Sequence, residues 1–262
     1  MKSNSSYPIL AKEGWGIIGA AIFITLLVWW LIGGFISFIF FVLLVFVIQF
    51  FRDPSRAISQ TPHSVLSGAD GRICKVQKVE NPYTGKEEIL ISTFMNVFNI
   101  HSNRSPIGGT VEAIYYKPGK FLNADLDKAS MENERNAIII KSDEGPVITC
   151  VQIAGLIARR IICHLHIGQE VTRGERFGFI RFGSRVDVYV PLNSEVLVFV
   201  GQKVRAADTV LALLNPQEEE KPETPVEAPA VEAVEVTEVA ATADAALAAE
   251  TKTTEEKTQQ QA

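Results

Sequence analysis

Cysteine is scarce in this sequence, which has Cys74, Cys150 and Cys163 and no others. The number is odd and none forms a C-x-x-C pair, which argues against a disulfide framework and fits a reducing compartment. Histidine is almost as rare, with four residues in 262. His164 and His166 alternate on one strand-like stretch, but no further Cys or His cluster completes a tetrahedral set, so no metal is expected. Charge is missing altogether from residues 14–51. At the other end, residues 216–262 lack aromatics and, apart from Leu247, large apolar residues. Such a segment cannot offset the entropy of ordering, and a disordered tail is expected there. Its twelve acidic residues and three lysines give a net charge of −9. With −5 for the whole chain, residues 1–215 are left at about +4, a mildly basic body suited to an anionic surface without demanding one. No nucleic-acid partner is expected.

The uncharged stretch would be about 55 Å long as one helix, against a hydrocarbon core of about 30 Å. Gly33-Gly34 divides it into residues 15–32 and 35–51, each near the lower limit for a span. Two short spans joined at the glycines return both ends to one side, where Lys2, Lys12, Arg52 and Arg56 lie. The positive-inside rule makes that the cytoplasmic side of an inner membrane. A single span with an interfacial or re-entrant segment is the alternative. The run is far longer than a signal-peptide core and no A-x-A-like site follows it, so no leader cleavage is expected. The expected organisation is a short cytoplasmic segment (1–14), a membrane hairpin (15–51), a folded body (52–215) and the acidic tail (216–262).

Arg52-Asp53-Pro54 ends the apolar run with charge and a proline. Beyond it the signals are mostly short strands at close spacing, such as 89–94, 110–116, 137–140, 147–153 and 160–165, separated by Gly, Pro, Asn and Asp. They predict a mainly β domain, sandwich-like or barrel-like. Residues 125–134 are the one candidate for a helix or ordered loop. Gly168-Gln169-Glu170-Val171 recurs 33 residues later as Gly201-Gln202-Lys203-Val204, each copy entering an apolar strand. The pattern resembles the hammerhead turns of barrel-sandwich hybrid folds, in which two curved half-sheets interlock.

Besides the His164 and His166 pair, three polar constellations stand out along with the dipeptide Gly183-Ser184, and each has a plain structural reading. Gly183-Ser184 lies between alternating stretches (Phe177, Phe179; Val186, Val188, Val190) and reads first as a turn between two strands. Asp70 before Gly71 reads as a turn acid, and His101 amid turn formers as a structural histidine. The charge-dense stretch 120–136 reads as solvated surface.

Their order along the chain adds more. Phe51-Arg52-Asp53-Pro54, Ala69-Asp70-Gly71, Phe94-Met95-Asn96-Val97-Phe98-Asn99-Ile100-His101, Asn103-Arg104-Ser105-Pro106, Gly119-Lys120-Phe121-Leu122-Asn123-Ala124, Glu132-Asn133-Glu134-Arg135-Asn136, Gln152-Ile153-Ala154-Gly155, Ala158-Arg159-Arg160-Ile161, Gly174-Glu175-Arg176-Phe177-Gly178 and Arg181-Phe182-Gly183-Ser184-Arg185-Val186-Asp187 follow one another. From about Phe51 to Leu214 this series resembles the phosphatidylserine decarboxylase proenzymes in their short prokaryotic form. The acidic tail is outside that pattern.

The resemblance implies that the Ser184 hydroxyl attacks the Gly183 carbonyl, that the resulting ester is split by β-elimination, and that residue 184 becomes an N-terminal pyruvoyl group with loss of ammonia. Gly suits the position before the serine because nothing blocks the attack. By match to the family, His101 is the base and Asp70 the carboxylate that orients it. The mature enzyme would be a heterodimer of fragments 1–183 and 184–262, with a higher oligomer left open. Its pyruvate-derived ketone would form a Schiff base with phosphatidylserine and release carbon dioxide and phosphatidylethanolamine. For the lipid phosphate, Arg104, Lys120, Arg159, Arg160 and Arg181 are candidates. Two departures are plain: Phe98 stands where longer forms carry a second His, and Phe182-Gly183-Ser184-Arg185 replaces their Leu-Gly-Ser-Thr. The alternative function is a non-enzymatic, membrane-anchored β-module, although no lysine stands at a hairpin tip as a carrier domain needs.

Overall fold

In a computed structural model, which describes residues 8–121, 132–155, 160–181 and 184–215, the uncharged run folds as two helices laid back on one another. Helices α1 (Trp15–Leu31) and α2 (Gly34–Phe50) are 17 residues each, and Thr25 Oγ1 of the first reaches Phe40 O of the second at 3.4 Å. Gly33 and Gly34 both take positive φ, 63° and 61°, a conformation that side chains bearing a Cβ resist. The reversal therefore falls at the glycine pair. Neither helix has a polar stripe, and Trp29, Trp30, Phe35 and Phe38 are exposed. The stretch Lys12–Leu31 is long and apolar enough to cross a membrane, with mean hydropathy 2.0, whereas Gly34–Phe50 is apolar but shorter.

The open end of this hairpin is tied shut by the backbone. Ala11 N–H donates to Phe51 O at 2.8 Å and Asp53 N–H to Ile9 O at 2.7 Å. Gly14 is required at this closure, because a Cβ there would run into the Phe51 ring.

The strands that follow are β1 (Ser64–Leu66), β2 (Gly71–Glu80), β3 (Glu87–Met95), β4 (Ser102–Arg104), β5 (Gly109–Lys117), β6 (Arg135–Ser142), β7 (Val147–Ala154), β8 (Ile161–Cys163), β9 (Glu170–Val171), β10 (Arg176–Ile180), β11 (Ser184–Pro191), β12 (Glu195–Val196), β13 (Lys203–Val204) and β14 (Val210–Leu213). Eight of them form a curled sheet in the order β13-β2-β3-β11-β7-β6-β5-β9, and two three-stranded sheets, β1-β14-β12 and β4-β10-β8, complete the domain. Alternation along β11 sends Val186, Val188 and Val190 into the main core with Ile91, Ile138 and Ile148. Arg185, Asp187 and Tyr189 go to the opposite face, where Leu90, Val151 and Ile153 form a second, smaller core. The mainly β expectation holds, and so does the helical hairpin before it.

The repeat seen in the sequence builds the two edges of the large sheet. Gly168 N–H donates to Val111 O and Gly201 N–H to Ile73 O, both at 2.7 Å. The glutamine after each glycine caps its own turn, Gln169 accepting from His166 N–H and Gln202 from Phe199 N–H. One copy thus leads into β9 beside β5 and the other into β13 beside β2, a near-symmetric pair of turns of the hammerhead kind. Residues 125–131 of the expected helix or loop, and all of the acidic tail, lie outside the described residues.

Candidate active site

Strand register gathers most of the singled-out segments on one rim of the large sheet. Ser184, the first residue of β11, is opposite Met95 at the end of β3 and Ala154 at the end of β7. Arg72 of β2 is opposite Phe94, and Arg135, which opens β6, is opposite Ile153. Asp70 therefore leaves the sheet on the same rim as Ser184, two strands away, a backbone separation of about 10 Å at the usual strand spacing. Behind the rim, Asn136 donates to Gln152, and Gln152 donates in turn to Asn103, at 3.0 and 2.8 Å, a buried chain that joins β6 and β7 to β4.

Ser184 is fully buried, and its hydroxyl lies 3.9 Å from Met95 Sδ. A thioether is a weak acceptor, so the hydroxyl is not held by a strong hydrogen bond there. His101 is also buried, on the loop between β3 and β4. Its backbone carbonyl accepts the Ile180 N–H at 3.2 Å, and Ile180 precedes Ser184 by four residues. A four-residue link spans at most about 14 Å, so Ser184 begins β11 within that distance of Ile180 and of the backbone bond that ties Ile180 to His101.

The imidazole packs against Phe50 at a tilt, ring centroids 4.4 Å and planes 39° apart, and its centroid lies 6.4 Å from that of Phe179. His101 Nδ1 is 3.0 Å from Asn99 O. A carbonyl only accepts, so Nδ1 carries the proton and Nε2 of the neutral ring is the acceptor. Burial is the main cause that pushes the His101 pKa down to about 4, with the Arg52 guanidinium adding to it.

Asp70 hydrogen bonds to Arg56 and accepts the Ala206 N–H at 2.9 Å. The acceptor on His101 Nδ1 is thus the Asn99 carbonyl, whereas Asp70 is engaged by Arg56 and Ala206. Asp70 and Asn99 both line a cleft of about 960 Å³, together with Phe98, Val200 and the cations Arg72, Lys203 and Arg205.

The cations named from sequence do not converge. Arg104 is buried, 3.6 Å from Asp53. Lys120 is exposed and pairs with Glu132 at 3.1 Å. Arg160 is exposed, and Arg181 donates to Glu13 O at 3.0 Å. Gly183 and Arg159 lie outside the described residues. Asp53 and Arg176 stand in the sequence within the ordered blocks without a role of their own, and Arg72, Lys203 and Arg205 are given none, although Lys203 belongs to the repeated turn.

A family profile for phosphatidylserine decarboxylase matches residues 43–212, from inside α2 to inside β14. A phosphatidylserine decarboxylase proenzyme of Ralstonia pickettii is 53% identical over 215 residues, 82% of this chain and 100% of the relative. The proenzyme of Nitrosomonas europaea is 55% identical over 206 residues, covering 79% and 95%. That of Burkholderia cenocepacia is 54% identical over 213 residues, covering 81% and 99%. The chain belongs to the phosphatidylserine decarboxylase family.

Both departures from the longer decarboxylases have a structural counterpart. Phe98 meets Phe46 of α2 edge to face at 6.2 Å, and its carbonyl accepts a hydrogen bond from Arg52 at 2.7 Å, so this position joins the hairpin to the cleft. Arg185, the residue after Ser184, is neutralised by Asp187 on the same strand face, with nitrogen–oxygen distances of 2.6 and 2.7 Å. A buried cation is tolerated there because it carries its counter-ion two residues on.

Proposed function

We propose that this chain is the proenzyme of a phosphatidylserine decarboxylase that cuts itself between Gly183 and Ser184 and then converts phosphatidylserine to phosphatidylethanolamine and carbon dioxide. The observation that carries the reading is the Ser184 hydroxyl, buried at the start of a central strand, set against the Met95 thioether among the described residues, and tied along the chain through Ile180 to the His101 carbonyl.

In self-cleavage, Ser184 Oγ attacks the Gly183 carbonyl and passes its proton to His101 Nε2. The acyl group moves from nitrogen to oxygen, and the freed amine stays on residue 184. Removal of the α-proton of residue 184 then expels the Gly183 carboxylate. Asp70, on the same rim, is held by Arg56 and the Ala206 N–H, so in this arrangement the Asn99 carbonyl orients the ring.

The pyruvoyl group left at residue 184 has one heavy atom fewer than the serine it comes from, so the slot walled by Met95 and Ala154 admits it without displacement. Such a group supplies a ketone that binds the substrate amine and accepts the electrons released with carbon dioxide. His101 Nε2 carries the proton that the substrate carbon then receives. Arg72, Lys203 and Arg205 around the cleft suit the lipid phosphate better than Arg104, whose guanidinium is spent on Asp53.

The apolar hairpin keeps the domain at the membrane that holds the substrate's acyl chains, with Lys12, Arg52 and Arg56 favouring the cytoplasmic face. After the cut, β11 remains central in the large sheet, between β3 and β7, so the two fragments stay together as one folded unit. Intact mass under denaturing conditions tests the reading. Pieces of 183 and 79 residues are expected, the smaller with a ketone in place of its amine, and a single chain from Ser184→Ala. An uncut chain in protein that releases carbon dioxide would refute it.

A further inference from the structure

The open end of the hairpin touches the site at three successive places along β10 and its exit. Arg176, which opens β10, is gripped by both legs of the hairpin. Its Nε lies 2.5 Å from Asp53 Oδ2, just after α2, and its Nη2 lies 2.8 Å from Glu13 Oε2, just before α1. All three side chains are no more than 9% exposed. Ser102 and His164 complete the network, donating to Asp53 and Glu13 at 2.8 and 2.9 Å. Three residues on, Phe179 stacks against Phe51 with centroids 5.7 Å apart. Arg181, two residues before Gly183, donates to the Glu13 carbonyl. Phe50, the last residue of α2, covers the His101 ring itself.

A tether to the membrane needs only the covalent link at Phe51-Arg52. Burying a guanidinium between two carboxylates carries a desolvation cost and yields its return in defined geometry, since each charge is satisfied only in one arrangement. A phenylalanine packed this closely against an imidazole likewise limits how the ring can turn. These contacts all fall on the strand that leads into the bond to be cut, or on the proposed base.

We infer that the hairpin base is a positioning element of the active site: Phe50 holds the His101 ring, and Glu13 and Asp53 grip Arg176 so that β10, which ends four residues ahead of Ser184 in the chain, is fixed against that ring. The inference rests on the self-cleavage reading above. It makes Phe50, Glu13, Asp53 and Arg176 positioning residues, and it makes maturation dependent on a closed hairpin.

The test follows self-cleavage of newly made full-length chain in detergent micelles, with the cleavage half-time and its pH profile as readouts. Phe50→Ala and Glu13→Ala are expected to lengthen the half-time about ten-fold or more, as misplacement of a reacting group does. Phe50→Leu and Glu13→Gln should recover part of the rate. Phe50→Ala should also move the pH midpoint of cleavage upward, because it opens His101 to water, a shift that a general loss of stability does not produce. Phe35→Ala, at the far tip of the hairpin, should cut at the wild-type rate. Thermal unfolding in a Ser184→Ala background identifies any variant that fails to fold, and the two conservative variants then carry the test. Wild-type rate and pH midpoint in folded Phe50→Ala and Glu13→Ala would overturn the inference while leaving the function standing. A wild-type chain that never cuts would overturn the function itself.

Discussion

Ser184 and Met95 face one another across β11 and β3, with the serine hydroxyl 3.9 Å from the thioether sulfur. The pairing leaves a buried nucleophile with a partner it can leave at little cost. A stronger acceptor at position 95 would hold the hydroxyl in its ground state. Met95→Leu, which keeps volume and removes the sulfur, is therefore expected to cut within about three-fold of the wild-type rate, a volume-conserving core change being mild. Met95→Gln should slow cleavage by about ten-fold or more, the worth of one added hydrogen bond. Quantifying the two fragments over time on a denaturing gel checks both, and equal rates for Leu and Gln would show that the thioether plays no part.

Beside the proposed cleavage pair, Arg185 and Asp187 form an ion pair from which water is excluded, each side chain 1% exposed. Hydrogen bonds and the charge of Asp187 raise the Arg185 pKa against the opposing effect of burial. Removing one partner strands the other. Arg185→Met and Asp187→Leu should each destabilise the uncut Ser184→Ala protein by about 3–5 kcal/mol. The double variant should recover most of that loss, because two apolar side chains leave no buried charge behind. Chemical denaturation in detergent measures all three, and additive losses in the double variant would show that the pair is not coupled.

Much of this architecture could be read from the chain before any coordinates, and the reason is local. An uncharged run divided by Gly33-Gly34 dictates a helical hairpin, and a repeated Gly-Gln turn dictates equivalent sheet edges, because each depends on residues a few positions apart. The grip on Arg176 is different in kind. Its partners Glu13 and Asp53 are 163 and 123 residues away in sequence, and each alone reads as a charge flanking an apolar helix. The same holds for the cations. Arg104 stood within a family block, yet strand β4 buries it against Asp53, whereas Arg72 and Arg205 reach the cleft only because β13 pairs with β2. The family resemblance, not local pattern, singles out Ser184 and His101, and register and burial supply their neighbours.

The cleft that collects Arg72, Lys203 and Arg205 beside Phe98 and Val200 fits a phosphate with apolar chains leading toward α2. Neutralising all three cations, as Gln at each position, is expected to raise KM for phosphatidylserine in mixed vesicles about ten-fold or more, with kcat within about two-fold, because the contacts serve binding and not the bond change. Added salt should raise KM for the wild type and leave the triple variant nearly unaffected, since screening acts on exposed charge. Self-cleavage should be unchanged. An unaltered KM in the triple variant would remove the cleft from the substrate's path.

His101 sets the pH dependence, and the sign follows from its burial. The folded ring has its pKa pushed down to about 4, whereas the same side chain in an unfolded chain titrates near the ordinary value of about 6.5. Above pH 6.5 both states are neutral and the ring contributes nothing to pH dependence. As pH falls from about 6.5 to about 4 the unfolded chain gains a proton that the folded one does not. Stability is therefore lost across that window, by at most about 3 kcal/mol, and levels off below it. The Ser184→Ala chain, which stays whole, should show this fall in chemical denaturation, and His101→Gln in the same background should not. Self-cleavage needs the neutral ring, so in wild-type chain its rate should hold level from pH 7 to about 5 and decline with a midpoint near 4. A midpoint near 6.5 for both stability and rate would mean that His101 is open to water in the uncut protein, contrary to its enclosure by Phe50 and Phe179.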